Sequence, residues 1–213
     1  DEIDNRVLVY DGLYYGTANC HICTGDQVTF DVTPYRTSRS RNYAYLGIEA
    51  GDEYAPASAG LLWQDNKIIT GFTLADNRLT VHTNGQRGNA LVAVYDAGGT
   101  ILWSWHIWCL PGDRPQDDRY TNRAGEQFLV MDRNLGAIGT DLKTRYGLVY
   151  TWARKDPFTS NEVYNAAGRK DRFINHWPTI YTTNESEAKT YDLTYMTRHP
   201  TTYVYTGWYA KLY

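Results

Sequence analysis

The sequence predicts a mainly β chain in two parts, a β-sandwich over about residues 1–112 and an α+β module over about 113–213. Three observations carry this reading. Short apolar or alternating runs recur every 8–12 residues or so up to residue 112, with no helical period, as a sandwich requires. One polar stretch rich in Pro, Gly and Asp, "LPGDRPQDDRYTNRAGEQ" (110–127), breaks that rhythm as a linker does. Beyond it the chain turns polar and tyrosine-rich, and the one credible helix appears.

In the first part the strand candidates are "RVLVY", "QVTFDV", "AGLLWQD", "KIITGFTL", "RLTVHT", "ALVAVYD" and "TILWSWHIW", separated by turn signals such as "TGD", "ADN", "NGQRGN" and "DAGG". The sharpest local expectation is a hairpin. Two apolar runs flank Asp96-Ala97-Gly98-Gly99, whose glycines accept positive φ, so Ala90–Tyr95 should pair with Ile101–Trp108. Side chains alternate along a strand. Trp103, Trp105 and Ile107 therefore share one face, suited to the core, while Ser104, His106 and Trp108 share the other, facing solvent or the second domain.

In the second part "FLVMDRNLGA" reads as a strand running into a turn, and "YGLVYTWARKDPF" as a strand-like run stopped by proline. "NESEAKTYDLTYMTRHP" reads as a helix, with Asn184 as N-cap, Glu187 completing a capping box and Pro200 as the stop.

Composition excludes several functions. A hydrophobic content of 42% with 21% charged residues is ordinary for a folded domain. A net charge of −3 and a pI near 5.9 give no electrostatic basis for nucleic-acid binding; Arg36, Arg39 and Arg41 read as a solvated loop. No run approaches the roughly 20 apolar residues of a membrane-spanning helix. The opening "DEIDNRVLVY" reads as the start of a mature or trimmed product, so the absence of a leader says nothing about compartment. Aromatic content is high at 15%, biased to 19 Tyr and 7 Trp over 5 Phe, which suits half-wet sheet positions and surfaces that face proteins or sugars.

Catalytic patterns are not found. His21, His82, His106, His176 and His199 are scattered, with no H-E-x-x-H, and no G-x-S-x-G elbow occurs. Asp113, Asp117 and Asp118 lack the spacing of a calcium loop. Cys20-x-x-Cys23 lies in a strand-and-turn context instead of at a helix N-terminus, and has no matching zinc ligands. With Cys109 the cysteine count is odd, consistent with one disulfide between distant strands and one free thiol. The acid–base neighbours Asp132-Arg133, followed by Asn134, and Arg154-Lys155-Asp156 read as structural pins: Asp132 bridging Arg133 or Asn134 capping the next turn, and Asp156 pairing with a nearby arginine. The expectation is a chain without cofactor or metal that does not catalyse a reaction. A sharper alternative is glycan binding, with Trp177, Trp208 and Tyr209 as candidate stacking residues and Trp152 more suited to a core.

Four motifs in order, "GNALVAVYDAGGTILWSWHIW", "VMDRNLGA", "YGLVYTWARKDPF" and "RHPTTYVYTGWY", together with "TANCHI" and "AGLLWQD", resemble the large fimbrillin-like, pilus-associated surface proteins of Bacteroidetes over nearly the whole chain. The resemblance implies an Ig-like sandwich, with Trp103 and Trp105 pinning its interior, followed by a C-type-lectin-like module that continues beyond the position of Tyr213. It implies an extracellular, cell-surface adhesin or pilus subunit whose partners are other surface subunits, or a host or microbial glycan or protein. The alternative it leaves open is a carbohydrate-binding module of a glycan-handling system. Such proteins carry a cysteine at the position of Cys20 and apolar residues where Cys23 and Cys109 stand. The two additional cysteines fall at the ends of strands expected to share a sandwich, and a Cys23–Cys109 disulfide is the expected pairing.

Overall fold

A computed structural model describes residues 9–10, 13–14, 18–32, 54–141, 144–150, 155–158, 163–164, 170–171, 179–182 and 193–205. Strand dominates. After a short antiparallel pair, β1 (Val9–Tyr10) with β2 (Leu13–Tyr14), seven strands follow: β3 (Cys20–Cys23), β4 (Gln27–Asp31), β5 (Ser58–Gln64), β6 (Ile69–Ala75), β7 (Arg78–Thr83), β8 (Gly88–Tyr95) and β9 (Ile101–Cys109). They form a four-stranded sheet in the order β3-β9-β8-β5 and a three-stranded sheet in the order β4-β7-β6. Next come an antiparallel hairpin of β10 (Asp117–Thr121) and β11 (Gln127–Met131), the small pair β12 (Val163–Tyr164) and β13 (Lys170–Asp171), and β14 (Thr179–Thr182) parallel to β15 (Thr202–Tyr205). One helical turn and a half, α1 (Leu193–Arg198), lies against β9.

Turn chemistry sets the strand order. Asp76 and Asn77 both take positive φ, 51° and 57°, giving the two-residue turn whose twist matches the flanking strands, and this joins β6 to β7. The β8–β9 loop closes through Asp96: its backbone N–H bonds Thr100 O at 3.0 Å, its Oδ1 accepts from the Thr100 N–H at 2.8 Å, and Gly99 supplies φ 82°. The expected hairpin is thus present, with Gly88–Tyr95 against Ile101–Cys109. β3 pairs with β9 in parallel and in register, Cys20 opposite His106 and Cys23 opposite Cys109. Strand spacing in the sequence carries no sign of this long-range parallel pairing.

The two sheets share one core. Phe30 from β4 and Leu79 and Val81 from β7 meet Val92 and Val94 from β8 and Trp103, Trp105 and Ile107 from β9. Phe30 leans on Trp105 with ring centroids 5.2 Å apart and stacks on His21 at 3.9 Å. Trp103 and Trp105 take the inward positions that alternation assigns them. The opposite face of β9 is equally dry: Ser104, His106 and Trp108 are all 1% exposed or less. Neither of these residues' strand faces meets solvent, because the second half of the chain lies on the outer one.

Two expectations need correcting. The stretch read as a linker contains β10 and is half of a hairpin. The "YGLVYTWARKDPF" run is not a strand where it is described; it contributes one isolated bridge, Val149 to Phe158, and its centre, 151–154, lies outside the described residues. The helix is described only over Leu193–Arg198, and Asn184 and Glu187 lie outside the described residues.

A buried Trp in a closely packed core leaves a cavity when truncated. Trp105→Ala should lower stability by about 3–5 kcal/mol, measured as a shift of the urea midpoint with an unchanged slope.

Candidate functional site

The outer face of β8 and β9 is where polar chemistry concentrates. Asn89, a polar residue inside the apolar run "GNALVAVY", is its hub. The Asn89 backbone N–H makes a short hydrogen bond to Asp65 Oδ1, and its side-chain Nδ2 donates to Asp65 Oδ2 at 3.1 Å and to Gly136 O at 3.0 Å. Both of those partners only accept, so the amide orientation is fixed and Oδ1 remains to accept from His106 Nε2 at 2.9 Å. His106 therefore carries its proton on Nε2, and Nδ1 accepts from the Tyr150 hydroxyl at 3.4 Å. Every bond in this relay runs in one direction, from Tyr150 through His106 and Asn89 to Asp65. Glycine is required at position 88, because any Cβ there would collide with the Asp65 carboxylate.

Two further contacts lie beside the relay. Trp108 Nε1 donates to Ala137 O at 3.0 Å. Ser104 Oγ donates to Asp156 Oδ2 at 2.9 Å, while the Lys155 ammonium reaches Ser104 O at 2.9 Å, Ser104 Oγ at 2.6 Å and both Asp156 oxygens at 2.7 and 2.9 Å. The same ammonium sits 4.2 Å above the Trp103 ring. Asp156 thus pairs with its neighbour Lys155 and with a sandwich strand, not with the arginine expected, since Lys155 is the cation the chain turn delivers. Serine beside lysine has the composition of a nucleophile and a base. Here the lysine is bonded to a carboxylate through both oxygens, and Ser104 is fully buried; the arrangement is built to hold the loop 155–158 to β9.

A third cluster lies at the sandwich edge. Arg133, with its side chain only 5% exposed, places Nη1 and Nη2 on Asp113 at 2.7 and 3.3 Å, and Nε and Nη2 on Asp132, both at 2.8 Å. Arg87 adds a 2.8 Å contact to the same Asp113 oxygen and donates to Ile138 O at 2.8 Å. The Arg133 hydrogen bonds, helped by Arg87, hold Asp113 down at about 2. The Asp132–Arg133 bridge is present. Asn134 does not cap with its side chain, which donates instead to Arg145 O at 3.1 Å. Gly136, at φ 86°, makes the turn that brings its carbonyl to Asn89.

The sequence-predicted residues thus divide. Trp103 and Trp105 lie in the core between the two sheets, while Asp132, Arg133, Asn134 and Asp156 gather along the seam between the sandwich and the chain that follows it. Arg154, Trp177, Trp208 and Tyr209 lie outside the described residues. No disulfide joins the cysteines in this structure, although Cys23 and Cys109, the expected pair, are direct neighbours in register. Sequence reasoning misses Asp65 and Asn89 and reads Ser104 only as an outer-face residue; the signal for all three is a polar residue inside or ending an apolar strand. Among the described residues no group of three or more His, Cys, Asp or Glu is placed to hold a metal, and no helix is long and apolar enough to cross a membrane.

The β10–β11 hairpin differs from the seam in every respect. It projects with all ten strand residues exposed or half-exposed, and Tyr120, Phe128, Leu129 and Val130 are 50–62% exposed. It is a two-stranded sheet with no third strand among the described residues.

No family model, curated protein or solved structure matches the chain.

Burial pushes the Asp65 carboxyl up to about 6, against the Asn89 hydrogen bonds that oppose it, and burial, aided by His21, drives His106 down to about 3. The unfolded chain protonates His106 first, so this residue removes stability as pH falls from 6.5 towards 3. The folded chain protonates Asp65 first, so Asp65 adds stability as pH falls from about 6 towards 4. Between pH 6 and 4 the two contributions oppose each other. In Asp65→Asn the His106 contribution stands alone, and stability should fall by about 1.4 kcal/mol per pH unit more steeply than in the parent, read from urea titrations at stepped pH; equal slopes would refute the assignment. Separately, Arg133→Met leaves Asp113 and Asp132 facing each other without a counter-charge. It should cost about 2 kcal/mol, less than a fully buried pair because both carboxylates are partly solvated, and should speed amide exchange over residues 132–150.

Proposed function

We propose that the chain is a non-catalytic structural subunit of an extracellular surface or pilus assembly, built as an Ig-like sandwich with a lectin-like module, and that it joins a second copy of itself through the β10–β11 hairpin. The observation that carries this reading is the hairpin itself. A lone two-stranded sheet is marginal in water, and apolar residues exposed on both its faces favour a partner. Its two edges are not equivalent. β10 presents Asp117, Asp118 and Arg119, charges of the kind that block strand addition; β11 presents Gln127, Phe128, Leu129, Val130 and Met131, with no charge and no proline.

The β11 sequence is complementary to itself. Antiparallel pairing centred on Leu129 sets Leu129 against its own copy, Phe128 against Val130 and Gln127 against Met131, a closed two-fold contact. The resulting four-stranded sheet aligns Tyr120, Phe128 and Val130 of both copies along one face, where cross-strand aromatic and β-branched pairs add stability. The same pairing through β10 would oppose Arg119 to Arg119. The polar groups of the seam support the non-catalytic part of the reading, because their hydrogen bonds are spent on holding loops.

Sedimentation velocity on the whole chain tests the proposal. A concentration-dependent dimer is expected at tens to hundreds of micromolar, roughly the range for a small interface, and Leu129→Lys should leave a monomer with the parent's melting temperature. A parent that stays monomeric over that range, or a dimer indifferent to Leu129→Lys, would overturn it; monomer combined with specific glycan binding would favour the carbohydrate-binding alternative.

A further inference from the structure

The three thiols are not equivalent, and the sheet register separates them. Cys23 and Cys109 are the last residues of β3 and β9, directly opposite each other, and both point into the common core with exposures of 1% and 0%. Opposed residues on neighbouring strands have Cα atoms about 5 Å apart, inside the range of about 4.4–6.8 Å that a disulfide needs. Cys20 sits three residues from Cys23, on the other face of the strand and roughly 10 Å away, and its register partner is His106. One pairing is available to this chain and the other two are not.

The pair is also prepared for reaction. The contact between the two thiols sets them apart: it holds Cys23 below the usual thiol range, while the same contact, then burial, pushes Cys109 up. Cys23 adjoins the exposed turn Gly25-Asp26, and its S–H donates to Gly25 O in that turn at 3.4 Å, which places it nearer solvent along the chain than Cys109. Cys109 is followed by Leu110, which is buried. β3 has reason to be fastened: it is a four-residue edge strand with β9 as its one neighbour among the described residues, held by bonds such as Leu110 N–H to Cys23 O at 2.8 Å and His106 N–H to Asn19 O at 2.8 Å.

We infer that Cys23 and Cys109 form a dithiol site that closes to a disulfide by exchange with a small-molecule disulfide, with Cys23 as the attacking and Cys109 as the resolving sulfur, and so locks β3 onto β9. The Cys23 thiolate attacks one sulfur of the reagent and expels the first small thiolate. Cys109 then gives up its proton to solvent and attacks the Cys23 sulfur of the mixed disulfide, expelling the second. Two protein thiols are oxidised and one small disulfide is reduced to two thiols. This site is independent of the hairpin contact.

The native chain is equilibrated in glutathione buffers from fully reduced to fully oxidised, quenched by alkylation, digested and read by mass spectrometry. The expected result is a Cys23–Cys109 linked peptide that accumulates with oxidation, Cys20 remaining alkylated, and a melting temperature higher by roughly 10 °C in the oxidised chain, the scale of a long-loop disulfide. Cys109→Ser should stop at the mixed disulfide, with glutathione retained on Cys23. Linkage through Cys20, free thiols at Cys23 and Cys109 in fully oxidised buffer, or glutathione on Cys109 but not on Cys23 in the single-serine variants would overturn the inference. The Cys20→Ser chain, which keeps the pair intact, should behave as the parent does.

Discussion

The structure depends on β9 being buried on both faces at once. A strand interior to a sheet has its backbone satisfied by its neighbours, here β3 and β8, but its two rows of side chains need separate cover. One row, Trp103, Trp105 and Ile107, finds it in the opposite sheet through apolar packing. The other row, Ser104, His106 and Trp108, is polar or carries a polar atom, and dry cover is tolerable there only if each donor and acceptor is matched. The chain after the hairpin supplies most of those matches through Ala137 O, Tyr150 and the Lys155–Asp156 pair, while Asn89, itself held by Gly136 O, accepts from His106.

This division has consequences for how the two halves of the chain are joined. Apolar packing is tolerant of small shifts, whereas a hydrogen-bonded seam is directional and fails sharply when a partner is removed. The Asp65–Asn89–His106–Tyr150 relay crosses from the β5–β8 edge to the second half, so its members hold strand positions and loop positions together. The Arg133 cluster does the same at the sheet end, where a planar guanidinium bridges two carboxylates that come from either side of the hairpin, Asp113 and Asp132. The hairpin between them is then carried on a rigid base while its own side chains remain exposed, which is the form a contact element takes.

Much of the sandwich was legible because its signals are local. The Asp96–Gly99 loop, the Asp76-Asn77 turn and the alternation of "LWSWHIW" each follow from short-range chemistry, and the inward placement of Trp103 and Trp105 follows from period two. What was not legible depends on distant parts of the chain meeting. The parallel docking of β3 on β9 joins segments more than eighty residues apart, and nothing in "CHIC" announces its partner. The seam was half visible: Asp132, Arg133 and Asp156 stand out as charges beside turns. Asn89 and Ser104 look like interruptions in apolar strands until a second layer covers them. "FLVM" reads as a strand by itself, but its partner "DDRYT" does not, because a charged strand reads as a linker when its apolar neighbour lies across a polar turn.

The central claim is that sandwich and following loops form one cooperative unit through the outer face of β9. Native-state hydrogen exchange under increasing denaturant measures this directly. The account predicts that slow amides in 134–149 and those of β8 and β9 converge on one opening free energy and one denaturant dependence. Exchange of the 134–149 amides at a distinctly lower free energy, with β9 still protected, would contradict it.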